Sequence, residues 1–116
     1  MSNTKITISA LSAINLTNLS ESGSGATPVN LAAGQYAVTL SEDTMQFKPN
    51  TYIHQVILFN TTPHKDGNCE KWYYTVNTSE GTIIKVDGTK PVYVFIVDHY
   101  NVRDNSGSAT ITFTPV

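Results

Sequence analysis

The sequence predicts an all-β domain, a small jelly-roll-like antiparallel β-sandwich spanning residues 1–116 as one unit. Three observations carry this expectation. Only 14% of the residues are charged, against about 25% in an ordinary domain. Polarity comes instead from 16 Thr, 10 Ser and 10 Asn; threonine suits a pleated strand, while serine and asparagine suit turns. No segment sustains the 3.6-residue apolar period of an amphipathic helix, whereas period-2 alternation and short β-branched or aromatic runs recur along the chain.

In chain order, strands are expected at about Lys5–Ala10 and Ala13–Asn18. SESGSGAT (Ser20–Thr27) is a low-complexity patch that reads as a loop, because too little chain precedes it for a separate domain. Further strands follow at Gln35–Leu40, Met45–Lys48 and Tyr52–Phe59. Lys71–Val76 places Trp72 and Tyr74 on one strand face and Tyr73 on the other. Asp87-Gly88 marks a turn joining Thr82–Val86 to Val92–Val97. Tyr52–Phe59 and Val92–Val97 are nearly continuous apolar runs, expected at the centre of a sheet with both faces covered. The last strand, Ala109–Thr114, alternates: Ala109, Ile111 and Phe113 inward, Thr110, Thr112 and Thr114 outward.

Composition excludes several function classes. A net charge of -2 without a basic run leaves no footprint for nucleic acid and no electrostatic route to an anionic membrane. No stretch approaches the ~18 consecutive apolar residues of a membrane span. MSNTKITISALSAINL is too interleaved with polar residues to form a signal-peptide apolar region. A soluble chain, cytoplasmic at synthesis or exported without an evident signal peptide, is expected. The single cysteine, Cys69, forms no internal disulfide and builds no thiolate metal site alone. Catalytic motifs are missing as well: SESGSG lacks the G-x-S-x-G spacing, and neither H-E-x-x-H nor a phosphate-binding glycine loop occurs. Adjacent Asp98 and His99 would point to opposite faces of a strand, which makes a poor dyad. A non-catalytic protein is expected.

The chemistry concentrates in FIVDHYNVRDNSGSATITF. Asp98 follows six uncharged residues and so emerges at the rim of a sheet, while Asp104 and Asn105 begin the returning strand of a hairpin. Such a loop brings its two ends together, and two close carboxylates repel unless a positive charge neutralises them. Arg103 is one source of that charge and a hard cation is another. Calcium takes about 6–8 oxygen ligands from carboxylates, carboxamides and backbone carbonyls; Asp98, Asp104, Asn105 and a carbonyl near Asn101 offer such a set. The loop has no EF-hand pattern, and zinc would need more nitrogen or sulfur than His99 supplies. On residue chemistry alone a second reading stands beside this one. In it Asp104-Asn105-Ser106-Gly107 is an Asx-type turn with glycine at positive φ, and Arg103 is a solvated neighbour.

The same residues carry a resemblance. Val92–Phe113 resembles the C-terminal segment of the bacterial galactose-binding lectins of the PA-IL type: an apolar strand ending in Asp, a short loop, Asn/Asp-Asn-Ser-Gly, and an alternating final strand. The resemblance implies a small jelly-roll sandwich in which a bound calcium bridges the protein and sugar hydroxyls. It assigns Asp98, Asp104 and Asn105 as side-chain ligands and Asn101 as a backbone-carbonyl ligand, with one further carbonyl from Ser41–Gln46. The loop is one residue shorter between Asp98 and Asn101. Ile53-His54-Gln55 and Pro63-His64-Lys65-Asp66 stand where no His-Pro-x-Gln sugar-contacting stretch is found.

A calcium-dependent carbohydrate-binding protein (a lectin) is therefore expected, with a mono- or oligosaccharide or glycoconjugate as partner and galactose as the sugar the resemblance implies. Tyr100 inside the loop, Trp72 (with Tyr73 or Tyr52 if they reach the same rim) and His64 in a polar loop are the candidate sugar contacts. Weak single sites gain from multivalency, so a homo-oligomer is expected. The alternative is a non-catalytic adhesion or structural β-module in which the acidic loop is a turn or a stabilising calcium site.

Overall fold

The computed structural model describes residues 3–23, 25–63, 67, 69–99 and 102–116. Its strands are β1 (Thr4–Ser9), β2 (Ile14–Asn15), β3 (Thr27–Val29), β4 (Gly34–Ser41), β5 (Gln46–Lys48) and β6 (Thr51–Tyr52). They continue with β7 (Gln55–Pro63), β8 (Cys69–Asn77), β9 (Thr82–Val86), β10 (Val92–Phe95), β11 (Val97–Asp98) and β12 (Ser108–Pro115). Among the described residues the only helical turns are short 3-10 segments at Ala10–Ser12, Leu19–Glu21 and Val102–Asp104.

The strands form two antiparallel four-stranded sheets, β1-β12-β4-β9 and β3-β10-β7-β8, packed as a jelly-roll-like sandwich. Alternation does the work. β12 buries Ala109, Ile111 and Phe113 and turns its threonines outward, as its sequence predicts. Val38 and Leu40 of β4 join Ile111 and Phe113 from one sheet; Val56, Leu58, Val92 and Val94 meet them from the other. Each such side chain contributes about 1.5–3 kcal/mol by leaving water.

Four differences from the sequence reading matter. β7 and β10 are indeed the central strands of their sheet, but only one face of each is buried: Val92 and Val94 point in, while Tyr93 is exposed. Their continuous apolar runs come from apolar outer faces, not from a second covering layer. Asp87-Gly88 does not close a hairpin, because β9 and β10 belong to different sheets. Likewise β11 does not pair with β12. It runs parallel to β2, with Val97 opposite Ile14 and Asp98 opposite Asn15, so the acidic loop crosses from one sheet to the other. Thr27–Val29, inside a turn-rich region, pairs with β10 and was not expected as a strand.

Candidate functional site

The crossing loop begins at Asp98, which is 8% exposed at the end of β11. Ile14 N donates to the Ile96 carbonyl at 3.0 Å and Leu16 N to that of Asp98 at 2.7 Å, fixing the strand end. Asp98 Oδ1 accepts from His99 N at 2.7 Å, so the carboxylate caps its own turn. At the far end, the Val102–Asp104 turn closes with Asn105 N donating to the Val102 carbonyl at 3.1 Å. Ser106 and Gln46 exchange backbone hydrogen bonds at 2.8 and 3.0 Å, and Thr44 N donates to the Ser108 carbonyl at 2.8 Å. The loop is thereby held between the Ala10–Asn18 segment and Thr44–Gln46.

Gly107 makes this approach possible. Its φ is +86°, and a Cβ there would lie 2.1 Å from the Thr44 carbonyl oxygen. Its own carbonyl accepts from Ala10 N at 3.0 Å. The neighbouring Asn105 is 5% exposed; its Nδ2 donates to the Ala10 carbonyl at 2.9 Å, and its Oδ1 is buried without a hydrogen-bond partner. A buried polar atom left so costs about 1–3 kcal/mol, and natural proteins keep few of them without reason.

Asn15, which the sequence reading missed, is 2% exposed and organises the opposite wall. Its Oδ1 accepts from Thr17 N and Asn18 N, both at 3.1 Å, and the Thr17 hydroxyl lies 2.9 Å from it and 2.8 Å from the His99 carbonyl. The Asn-x-Thr spacing of an Asx turn was the available signal.

Of the expected metal ligands, Asp98 and Asn105 are buried at the two ends of this loop, and Asp104 is exposed on the turn between them. Thr44 and Gln46, within the Ser41–Gln46 stretch expected to supply a carbonyl, bond directly to Ser108 and Ser106. Asn101, Tyr100 and His64 lie outside the described residues. Trp72 is not brought to the loop. It pairs with Asn60, whose Nδ2 donates to the carbonyl of Pro91 just before β10, whereas Asp98 follows the other end of that strand. About six strand positions, roughly 20 Å, separate the two. Trp72 packs instead against the core and lies 5.2 Å from the Tyr74 ring. Tyr73, on the same strand, is about five positions away, roughly 15 Å along the strands.

A cleft of about 220 Å³ is bounded by Phe47, Tyr52, His54, Gln55, Ile96 and Val97 among others, Val97 being the strand residue that precedes Asp98. The Tyr52 and His54 rings stack at its mouth, 5.8 Å apart and 9° from parallel. Behind His54 lies Asp43, whose side chain is only 4% exposed and whose Oδ2 is 3.6 Å from His54 Nδ1. That separation is too long for a hydrogen bond, and Asp43 Oδ2 has no other such partner, while Met45 N donates to Oδ1 at 2.9 Å.

Among the described residues no three His, Cys, Asp or Glu side chains gather as a metal cluster. An ion at the loop would therefore draw on carboxamide and backbone oxygens beside Asp98 and Asp104, a donor set of hard oxygens that fits calcium and not zinc. The chain matches no protein-family model, no curated protein and no solved structure with which it was compared.

Proposed function

We propose that this chain is a calcium-dependent carbohydrate-binding protein without catalytic activity, its site formed by the loop from Asp98 to Asn105 and the cleft beside it. The observation that carries the reading is the buried Asn105 Oδ1, an acceptor with no donor, in the same loop as the buried Asp98 carboxylate. The resemblance to the PA-IL-type lectins supports it, since it falls on these residues. Asp98, Asp104 and Asn105 would hold the ion by side chains, with backbone carbonyls at Asn101 and within Ser41–Gln46. A bound calcium supplies open coordination positions for a vicinal pair of sugar hydroxyls.

The chain's own groups do the rest. Carboxylate oxygens accept hydrogen bonds from the same hydroxyls, and charge makes those bonds strong. Tyr52, 56% exposed and stacked on His54, offers a flat apolar face for the C–H face of a pyranose. Gln55 supplies both a donor and an acceptor at the cleft. Galactose is the sugar the resemblance favours, and an oligomer would raise the avidity of such sites.

A second reading, an adhesion or structural module in which an ion merely stiffens the loop, draws on the backbone ties from Thr44, Gln46 and Ala10 that already fix it. Thermal unfolding separates the two. A ligand that binds only the folded chain raises its midpoint. A rise on adding calcium after EDTA, followed by a further rise with galactose, supports the lectin; a rise with calcium and none with any monosaccharide supports the structural module; no rise with calcium removes both calcium readings.

A further inference from the structure

We propose that the outer face of the β3-β10-β7-β8 sheet is the surface through which two copies of this chain form a dimer. The two outer faces of the sandwich differ in kind. On β1-β12-β4-β9 Lys and Thr predominate outward, at Lys5, Thr7, Thr39, Lys85, Thr110 and Thr112, although Ile83 is exposed there as well, opposite Ala37. On the other sheet they carry Ile57, Phe59, Tyr73, Tyr93 and Phe95, flanked on β8 by the exposed Lys71 and Thr75, while the neighbours Val56, Leu58, Val92, Val94 and Val76 fill the interior.

These five residues are contiguous. Tyr93 stands directly opposite Phe59, Phe59 opposite Tyr73, and Phe95 opposite Ile57. Ring centroids are 6.5 Å apart for Tyr93–Phe59 and 5.1 Å for Phe59–Tyr73, so one aromatic row crosses three adjacent strands. Tyr73 is 66% and Tyr93 37% exposed. Single exposed aromatics are ordinary, but a connected apolar patch on a sheet face marks an interaction surface.

Area and composition favour a second copy as the occupant. With strands about 4.8 Å apart and a rise of about 3.3 Å per residue, the strands of this face cover roughly 400 Å² before side-chain relief, about half of the ~800 Å² each partner buries in a standard interface and the size of a weak, reversible contact. Its centre is aromatic and uncharged, as at the core of such interfaces. The same patch on both copies is self-complementary about a two-fold axis, and two sheets pack face to face in this way within sandwiches. The aromatic row lies roughly 15 Å along the strands from Asp98, which leaves the loop of each copy outside the contact centre. This deepens the oligomer expected of the proposed lectin, yet it rests on the sheet face and not on the loop.

Sedimentation of the full chain from micromolar to submillimolar concentration tests the proposal, with and without EDTA. The expected result is a reversible dimer in both conditions, so loss of the calcium reading leaves this one standing. The double variant Tyr73→Lys/Tyr93→Lys should weaken the dimer at least about a hundredfold, as expected when two central aromatics are lost, with an unchanged far-ultraviolet spectrum. If that variant does not fold, Tyr73→Thr/Tyr93→Thr keeps strand propensity and serves instead. A wild-type chain that stays monomeric throughout overturns the proposal. So does a dimer that survives both substitutions, which would place the contact at the β8 edge, or a monomer whose tyrosine emission responds to oligosaccharide, which would make the row a sugar platform.

Discussion

The side-chain amide of Asn105 donates to the Ala10 carbonyl at 2.9 Å, and the oxygen of that same carboxamide is buried with no hydrogen-bond partner. The residue is thus locked in orientation by one end and unsatisfied at the other. That is the condition expected of an oxygen set aside for a cation, since its position is fixed before anything binds.

Asn105→Leu tests this directly. Leucine has a similar shape, and the Ala10 carbonyl keeps a second donor in Ala13 N at 3.3 Å. Without calcium the variant should unfold close to the wild-type midpoint, because a lost hydrogen bond is offset by removal of a buried orphan. With calcium at about 100 times its dissociation constant the wild type should gain about 2.7 kcal/mol, and the variant little of it. Equal shifts in both proteins would remove Asn105 from the site.

Asp98→Asn should reduce calcium affinity by at least tenfold, measured by titration calorimetry, since it takes one formal charge from the ligand set. The His99 N–H that caps the carboxylate can still be accepted by a carboxamide oxygen, so the fold should persist. An unchanged affinity would remove this carboxylate from the ligand set.

Tyr52→Ala should separate sugar from ion. Its ring stands at the cleft mouth, stacked on His54, and is expected to stack on a pyranose for about 1 kcal/mol. Galactose affinity should fall roughly fivefold to tenfold while the calcium-dependent midpoint shift stays. Loss of the calcium shift as well would mean that the β5–β6 hairpin acts through the loop.

Gly107→Ala places a methyl 2.1 Å from the Thr44 carbonyl oxygen at a φ of +86°. Strain at such a φ costs on the order of 1–3 kcal/mol before the clash is counted, so denaturant unfolding should show a loss of about 3 kcal/mol or more. Calcium should recover part of it if the ion ties the same two segments. Full stability in the variant would mean that Thr44–Gln46 can move away from the loop cheaply.

Asp87 provides a pH test. Backbone and side-chain hydrogen bonds from Thr89 hold its carboxyl below the ordinary value of 3.8. A lowered folded value means that this turn contributes stability above the ordinary carboxylate range and loses it as pH falls through the lower folded value. Thr89→Ala should return the Asp87 titration, followed by carbon chemical shift, toward 3.8. An unmoved titration would deny Thr89 that part.

Much of the fold was legible because alternation is local: Ile111 and Phe113 reveal their side of β12 by their neighbours alone. What alternation cannot give is which sheet a strand joins. The turn at Asp87-Gly88 looks like a hairpin, and only packing shows that β9 and β10 part company there. The apolar outer positions Phe59 and Phe95 likewise mimic burial on two faces, because sequence does not distinguish a covered ring from one left for a partner. At the site, Asp98 and Asn105 were readable from their loop and Tyr52 from its residue type, whereas Asn15 offered only its Asn-x-Thr spacing and Asp43 carries no local mark. Trp72 shows the reverse case: its residue type suits sugar, but the ladder from Asn60 sets it at the other end of the sheet.

β1 and β12 lie side by side over their whole paired length, with Thr4 opposite Phe113 and Ser9 opposite Ser108. Ser108 adjoins the acidic loop, so Thr4 and Phe113 lie at the end of this strand pair away from it. A handle fused beyond either strand would therefore tether the protein to a sensor or bead with its loop turned toward solution, and one immobilised preparation would serve for both ion and glycan measurements.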